Sequence, residues 1–219
     1  MKNIQVIPAT MDDLPEIARI HADCWRECYG FLPKKLINQR NKTYRMAQWK
    51  DWMHSPGEAE CLFMIRCGQL GIGFCFARPS QDCDAPAGAG ELHAGYLLQP
   101  WRGSSAGPGL MLTTAKFLEE HGRTPLVLWV FRQNPVRIWY AQMGWKKFIE
   151  RHRFIEGTGV PEYGYISPPP QQLYHRLTVM IGHCDARGAG PRKKRSFQSA
   201  RRPRPADSDT IPGTGLRIP

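Results

Sequence analysis

Apolar and polar positions along this chain change period several times, and each change marks an element. Ile4-Gln5-Val6-Ile7 alternates briefly and halts at Pro8, which predicts a short strand. Thr10-Met11-Asp12-Asp13 offers a capping hydroxyl and early carboxylates, the start of a helix. Leu14, Ile17, Ala18, His21, Trp25 and Cys28 then fall on one helical stripe that ends near Gly30. A looser amphipathic stretch follows Pro33 to about Trp52. Two strand-like runs, 61–66 and 70–77, flank Cys67-Gly68-Gln69 and predict a hairpin. Beyond a Pro/Gly/Ala-rich loop at 79–90 come a strand over 91–98 and a helix over 105–121. The strand at 126–131 is apolar on both faces and hence central; a short helix at 135–143 and strands at 145–154 and about 160–166 complete the series.

This order specifies the α/β (α+β) class, a mixed sheet flanked by helices. At Ser167-Pro168-Pro169-Pro170 the composition shifts towards Pro, Gly, Arg and Ser. The chain therefore divides into one domain at 1–168 and a Pro/Arg-rich, largely disordered tail at 169–219, within which only Leu173 to Ile181 is apolar enough to dock.

Composition narrows the function classes. A length of 219 residues with 42% hydrophobic content suffices for one core. The seven cysteines show no C-x-x-C pair and lie mostly in apolar stretches, which favours free thiols in a reducing compartment, and no apolar run reaches membrane-spanning length. A cytoplasmic location with no membrane partner is the expectation. The net charge of +11 would point to nucleic acid if it covered the fold, but the 182–219 segment holds nine Lys/Arg against three Asp and so carries more than half of it. Nucleic acid is thus expected only as a non-specific partner of that tail, through Arg192-Lys193-Lys194-Arg195 and Arg201-Arg202.

The segment Leu97-Leu98-Gln99-Pro100-Trp101-Arg102-Gly103-Ser104-Ser105-Ala106-Gly107-Pro108-Gly109-Leu110-Met111 reads as strand, small-residue turn and helix. Such a turn presents main-chain N–H groups, first-turn helix amides and the positive end of the helix dipole to a phosphate, and glycine lets the phosphate approach. An ordinary turn capped by Ser105 is the competing account of the same residues.

Around that loop the chain resembles the GNAT superfamily of N-acetyltransferases over about Ile4 to Ile166. The likeness rests on 8–29, on 90–111, and on Leu128-Trp129-Val130-Phe131-Arg132-Gln133-Asn134 through Tyr140 to Gly144-Trp145. It implies a mostly antiparallel sheet of about seven strands, acetyl-CoA as cosubstrate without a metal, and direct transfer of the acetyl group to an amine within a ternary complex. The family's loop, Arg/Gln-x-x-Gly-x-Gly/Ala, cradles the coenzyme pyrophosphate; here Arg102, Gly103, Ser104, Ser105, Ala106 and Gly107 occupy it, with Ser105 in place of the first glycine and Pro108 following Gly107. Proline has no N–H to donate, which removes one phosphate contact. Two other readings follow from these features: a CoA-binding module that has lost catalysis, and a nucleic-acid-associated protein acting through the tail. A homodimer is compatible with the family.

The resemblance also implies roles for individual residues, each with a plainer alternative. Asn134 would contact the cofactor, although Asn134-Pro135 is also a sufficient helix cap. Tyr140 would stand by the thioester sulfur as general acid, although it shares a stripe with Val136 and Met143 and suits a core. A primary amine is free base in roughly one molecule in a few thousand at pH 7, so a base or a water relay must remove its proton. Glu91 is the first candidate and His93, two residues on along the same face, the second; a polar pair at the wet end of a strand is the alternative for both. The backbone N–H of Leu97 or Leu98 would donate to the thioester carbonyl. Trp25, Arg26 and Tyr29 would line the acceptor pocket, against a core tryptophan and a solvated arginine. His21, Cys24 and Cys28 make a helical trio that suits a metal, but the stripe they share with Leu14 and Ile17 favours packing.

Overall fold

The computed structural model describes residues 4–187. Seven strands, β1 (Ile4–Pro8), β2 (Cys61–Cys67), β3 (Leu70–Pro79), β4 (Gly90–Leu97), β5 (Leu126–Phe131), β6 (Lys146–Ile155) and β7 (Thr158–Ile166), form one sheet in the order β1-β2-β3-β4-β5-β7-β6. Every neighbouring pair is antiparallel except β4 with β5. Six helices flank the sheet: α1 (Leu14–Cys28), α2 (Lys34–Gln39), α3 (Lys42–His54), α4 (Ala106–Glu120), α5 (Arg137–Gln142) and α6 (Pro170–Ala186). Among the described residues no helix is long and apolar enough to cross a membrane.

The alternation of side chains in the strands builds two cores. On one face Phe63, Ile65, Ile72, Leu128 and Val130 pack with Leu110, Met111, Ala115 and Leu118 of α4. On the other, Leu62, Met64, Phe74 and Phe76 meet Leu14, Ile17, Ile20 and Cys24 of α1 and Trp49 of α3. The stretch after Pro33 is two helices rather than one, because Asn41 Oδ1 accepts the Tyr44 N–H at 3.0 Å and starts α3 anew.

The domain boundary expected at 168 needs correction. Pro170–Ala186 is a 17-residue helix whose Leu173 and Leu177 are fully buried in the α4 core, so the packed unit extends past 168. The prolines that suggest a linker sit at the N-terminal turn of α6, where a missing N–H costs no helical bond. Of the segment 182–219 for which disorder is expected, residues 188–219 lie outside the described residues.

The site is shaped by the junction of β4 and β5. Their parallel register holds only for Gly90 with Leu126 and Glu91 with Val127. Beyond these pairs the strands part, leaving a wedge between the rest of β4 and β5. A bulge sits just past the paired end: Phe76 faces Ala94 while Ala77 faces Leu92, which makes His93 the extra residue on β4.

Candidate functional site

Beyond the bulge, the antiparallel alternation decides which backbone groups enter the wedge. The Leu98 N–H donates to the Ile72 carbonyl at 2.9 Å, inside the sheet, so Leu98 is not a free donor and that expectation is corrected. In an antiparallel ladder adjacent residues point their N–H groups to opposite edges, which turns those of Leu97 and Gly95 away from β3 and into the wedge. Gly95 went unnoticed in the sequence, where its signal is a lone glycine inside a strand pattern. A Cβ at Gly95 would lie 3.9 Å from Cys75 Sγ, and Cys75 in turn acts electrostatically on Tyr140, which places Gly95, Cys75 and Tyr140 in one neighbourhood.

Tyr140 lies on α5, half-buried, with its ring 6.1 Å from Trp145 and 6.3 Å from Tyr165. Its hydroxyl has no hydrogen-bond partner among the described residues. Burial first, then the neighbouring Cys75 and Tyr29, push its phenol above the usual value, so it stays protonated throughout the neutral range.

The loop at the wide end of the wedge begins at Gly103, whose φ of +80° requires the freedom of glycine. Ser104, not Ser105, makes the capping contact: its hydroxyl donates to the Trp101 carbonyl at 2.6 Å and accepts the Ala106 N–H at 3.2 Å. Ser105 makes no side-chain cap. Its carbonyl accepts the Gly109 N–H at 2.9 Å, and among the described residues the Ser105 and Gly107 N–H groups have no partner. Pro108 is buried and has no N–H, so position 108 offers no donor beside those of Ser105 and Gly107. Two unpaired amides at the start of a 15-residue helix suit the pyrophosphate of coenzyme A.

Arg102 is otherwise engaged. Its Nε donates to the Leu97 carbonyl at 2.9 Å and its two Nη atoms form a bidentate pair with Glu27 at 2.9 Å each, which ties the loop to α1. The C-terminal turn of α6 reaches the same loop, where Cys184 Sγ lies 3.8 Å from the Gly103 carbonyl.

Glu91 and His93 meet at the narrow end. Glu91 is buried; His93 Nδ1 stands 2.6 Å from its Oε1, Arg78 Nη2 is 3.4 Å from Oε2, and Ser80 Oγ is also 3.4 Å from Oε2. Burial alone would raise its carboxyl, but the His93 hydrogen bond and the His93 and Arg78 charges outweigh it and hold Glu91 below its ordinary value. The anion is thus well satisfied and makes a poor proton acceptor. With Nδ1 fixed by Glu91, His93 presents Nε2 as the basic atom. Six residues of strand separate Glu91 from Leu97, about 20 Å at ~3.3 Å each, whereas His93 is only two residues from Gly95.

The α1 residues divide. Arg26 projects to solvent, its side chain 64% exposed and paired with Asp23 at 3.4 Å, so it is not part of a pocket. Its helix-end position left no core for it to join. Trp25 and Tyr29 stack edge to face at 4.5 Å, and Tyr29 stands 5.3 Å from Phe131 at the end of β5. Tyr29 also lies close enough to Tyr96 of β4 and to Asn134 just beyond β5 for both to influence its phenol, whose pKa burial raises above the usual value. Asn134 Oδ1 also accepts the Val136 N–H at 3.1 Å, the capping contact its Asn-Pro dipeptide suggests. Arg45 of α3 and Tyr96 belong to this cluster and were missed in the sequence, where nothing distinguishes a buried arginine from an exposed one. His21, Cys24 and Cys28 are packed groups: His21 Nδ1 accepts the Trp49 indole N–H at 3.1 Å, burial and then Arg45 hold the imidazole well below its usual value, and burial pushes the Cys24 thiol up to about 12.

A sheet split between two parallel strands, with a phosphate-type loop at the mouth of the split, is the fold of GNAT acetyltransferases, and this chain has that fold. Comparison with known proteins agrees. No family model matches. The chain is similar to YuaI of Bacillus subtilis, described as an uncharacterized N-acetyltransferase, with 29% identity over 163 residues, 74% of this chain and 91% of that protein. Among solved structures it resembles the PaiA N-acetyltransferase of Thermoplasma acidophilum in complex with coenzyme A (18% identity, TM-score 0.55, 73% of this chain and 98% of that one). It also resembles yncA of Salmonella typhimurium with acetyl-CoA (12% identity, TM-score 0.58, 74% and 92%). An N-acetyltransferase of Staphylococcus aureus Mu50 aligns with 16% identity and a TM-score of 0.58 over 75% and 97%.

Proposed function

We propose that this protein is an acetyl-CoA-dependent N-acetyltransferase that moves the acetyl group directly to an amine in a ternary complex. The observation that carries the reading is the wedge: unpaired β4 amides at Gly95 and Leu97, a protonated Tyr140 with an uncommitted hydroxyl, and free loop amides at Ser105 and Gly107 line one path. Bound acetyl-CoA supplies an acetyl thioester, electrophilic at its carbonyl carbon. Ser105 and Gly107, with Gly103 and Ala106 shaping the turn, hold its pyrophosphate; Arg102 and Ser104 act one step removed, fixing the loop against α1 and the start of α4. Asn134 fixes the far wall of the wedge.

The Gly95 and Leu97 N–H groups donate to the carbonyl oxygen as negative charge gathers there. His93 Nε2, held by Glu91, accepts the amine proton through a relay of water as the N–C bond forms and the C–S bond breaks. Glu91, the first candidate base in the sequence, becomes the residue that positions His93. Tyr140 donates its hydrogen bond to the departing sulfur. Thiolate near 8.5 against a phenol near 10 makes full transfer uphill by about 2 kcal/mol in water, and burial of Tyr140 steepens this, so hydrogen bonding precedes proton delivery. Trp25 and Tyr29 line the acceptor side. The seven free thiols suit a reducing compartment, and the cytoplasm is the location this reading implies.

Purified protein incubated with acetyl-CoA and a panel of amines should release coenzyme thiol only when a suitable amine is present. Absence of acetyl-CoA binding at millimolar concentration would overturn the reading.

A further inference from the structure

Arg45 is the anomaly of the molecule. Its residue is 4% exposed on α3, and it pairs with no carboxylate among the described residues. Nη1 donates to Gln48 Oε1 at 2.8 Å, but Nε and Nη2 are buried without any hydrogen-bond partner. These two nitrogens are the side edge of the guanidinium, the pair whose parallel N–H bonds match the two oxygens of a carboxylate. The Arg45 carbon Cζ lies 4.7 Å from the ring centre of Trp25, and the Trp25 indole N–H is itself buried and unpartnered. Three orphan donor atoms thus lie on two stacked side chains, and no acceptor among the described residues meets them. Burial lowers the Arg45 guanidinium to about 10, which leaves it a cation at neutral pH. Stacking on Trp25 and, at 5.4 Å, on Tyr44 offsets part of its desolvation but satisfies none of the three nitrogen donors.

The place is the acceptor side of the wedge. Tyr29 stacks on Trp25 at 4.5 Å and is close enough to act electrostatically on both Arg45 and Tyr140, so the orphan donors and the reaction centre share it as a neighbour. Tyr44, which stacks on the guanidinium at 5.4 Å, is 41% exposed, so the surface lies one side chain away. Arg40 also lies over the Tyr44 ring, at 4.3 Å, but is paired with Glu156 at 3.2 Å, which leaves Arg45 as the cation of the cluster without a carboxylate; one such cation edged by flat aromatic rings suits a planar monoanion.

We propose that Arg45 and Trp25 form a carboxylate subsite, and that the acceptor is a small amine bearing a carboxylate, of amino-acid type. This rests on the acetyl-transfer reading for the amine but not for the anion. The acid binds with its two oxygens on Arg45 Nε and Nη2, one of them also taking the Trp25 N–H, and the amine is directed past Tyr29 towards the wedge.

The full-length protein is titrated calorimetrically with glycine, L-methionine and L-glutamate and with the α-carboxamide of each, and thiol release from acetyl-CoA is followed in parallel. At least one acid should bind tenfold or more tightly than its amide. Arg45→Gln should bring the acid down to the amide's level, Arg45→Lys should restore only a minor part because it lacks the fork, and Trp25→Phe should reduce the ratio while keeping the stack. Equal binding of acids and amides by the wild type, no binding of any acid at about 10 mM, or undiminished discrimination in folded Arg45→Gln or Trp25→Phe would each overturn the subsite. Selective binding of an acid with no thiol release supports the subsite and counts against acetyl transfer, so the two failures are distinguishable.

Discussion

Leu177→Ala tests whether α6 belongs to the fold. Leu173 and Leu177 lie one helical turn apart, both fully buried against α4. Truncating a buried leucine removes its transfer free energy and leaves a cavity, about 2–5 kcal/mol together. At ~2–4 °C per kcal/mol for a domain of this size, the midpoint should fall by about 4–20 °C. Urea unfolding followed by circular dichroism gives the free energy directly, and Val179→Ala, on the same helix but 43% exposed, should stay within ~0.5 kcal/mol of the parent. Because α6 also reaches the coenzyme loop through Cys184 and Gly103, Leu177→Ala should bind coenzyme A more weakly than Val179→Ala. A Leu177→Ala protein within ~0.5 kcal/mol of wild type would show that α6 is not docked as described.

Tyr140→Phe should lower turnover by about 10²-fold or more while changing coenzyme affinity little, measured by steady-state kinetics beside a coenzyme titration; equal turnover removes Tyr140 from the mechanism. Glu91 has a lowered carboxyl, so its contribution to stability is present above the ordinary carboxylate range near 4.3 and lost as pH falls through its depressed value. Glu91→Gln should therefore cost about 1–3 kcal/mol at pH 7 and progressively less in acid; a pH-independent difference in urea titrations refutes this. In Gly73→Ala the new methyl would meet the Tyr96 carbonyl oxygen at 2.6 Å, a backbone atom that cannot swing away. The variant should lose about 1–3 kcal/mol in thermal unfolding and part of its coenzyme affinity, and an unchanged midpoint would show that β3 and β4 are looser than they stand. Replacing Ser105 with Gly and Pro108 with Ala tests the loop: the Ser105 and Gly107 amides are already free and position 108 would add one donor, worth about 1 kcal/mol, so coenzyme affinity should rise by less than tenfold, and a larger gain in an equilibrium titration would show that the cradle is impaired by these residues.

The sequence by itself determined whatever local period encodes. All seven strands follow from alternation or from continuous apolar runs, α1 from its stripe, and the coenzyme loop from a cluster of small residues between a strand and a helix. Tertiary structure decided what depends on partners distant in the chain. The splay of β4 from β5 and the bulge at His93 arise from registers with β3 and β5. That register commits the Leu98 amide to Ile72 and frees Leu97 and Gly95, a choice two adjacent residues cannot make alone. The helix at 170–186 looks like a tail until α4 supplies the surface that buries Leu173 and Leu177. Arg26 and Arg45 are equivalent as letters, yet one is solvated beside Asp23 and the other is enclosed by Trp25, Tyr29 and Tyr96, because burial belongs to the packing of α1, α3 and β4 and not to any one residue.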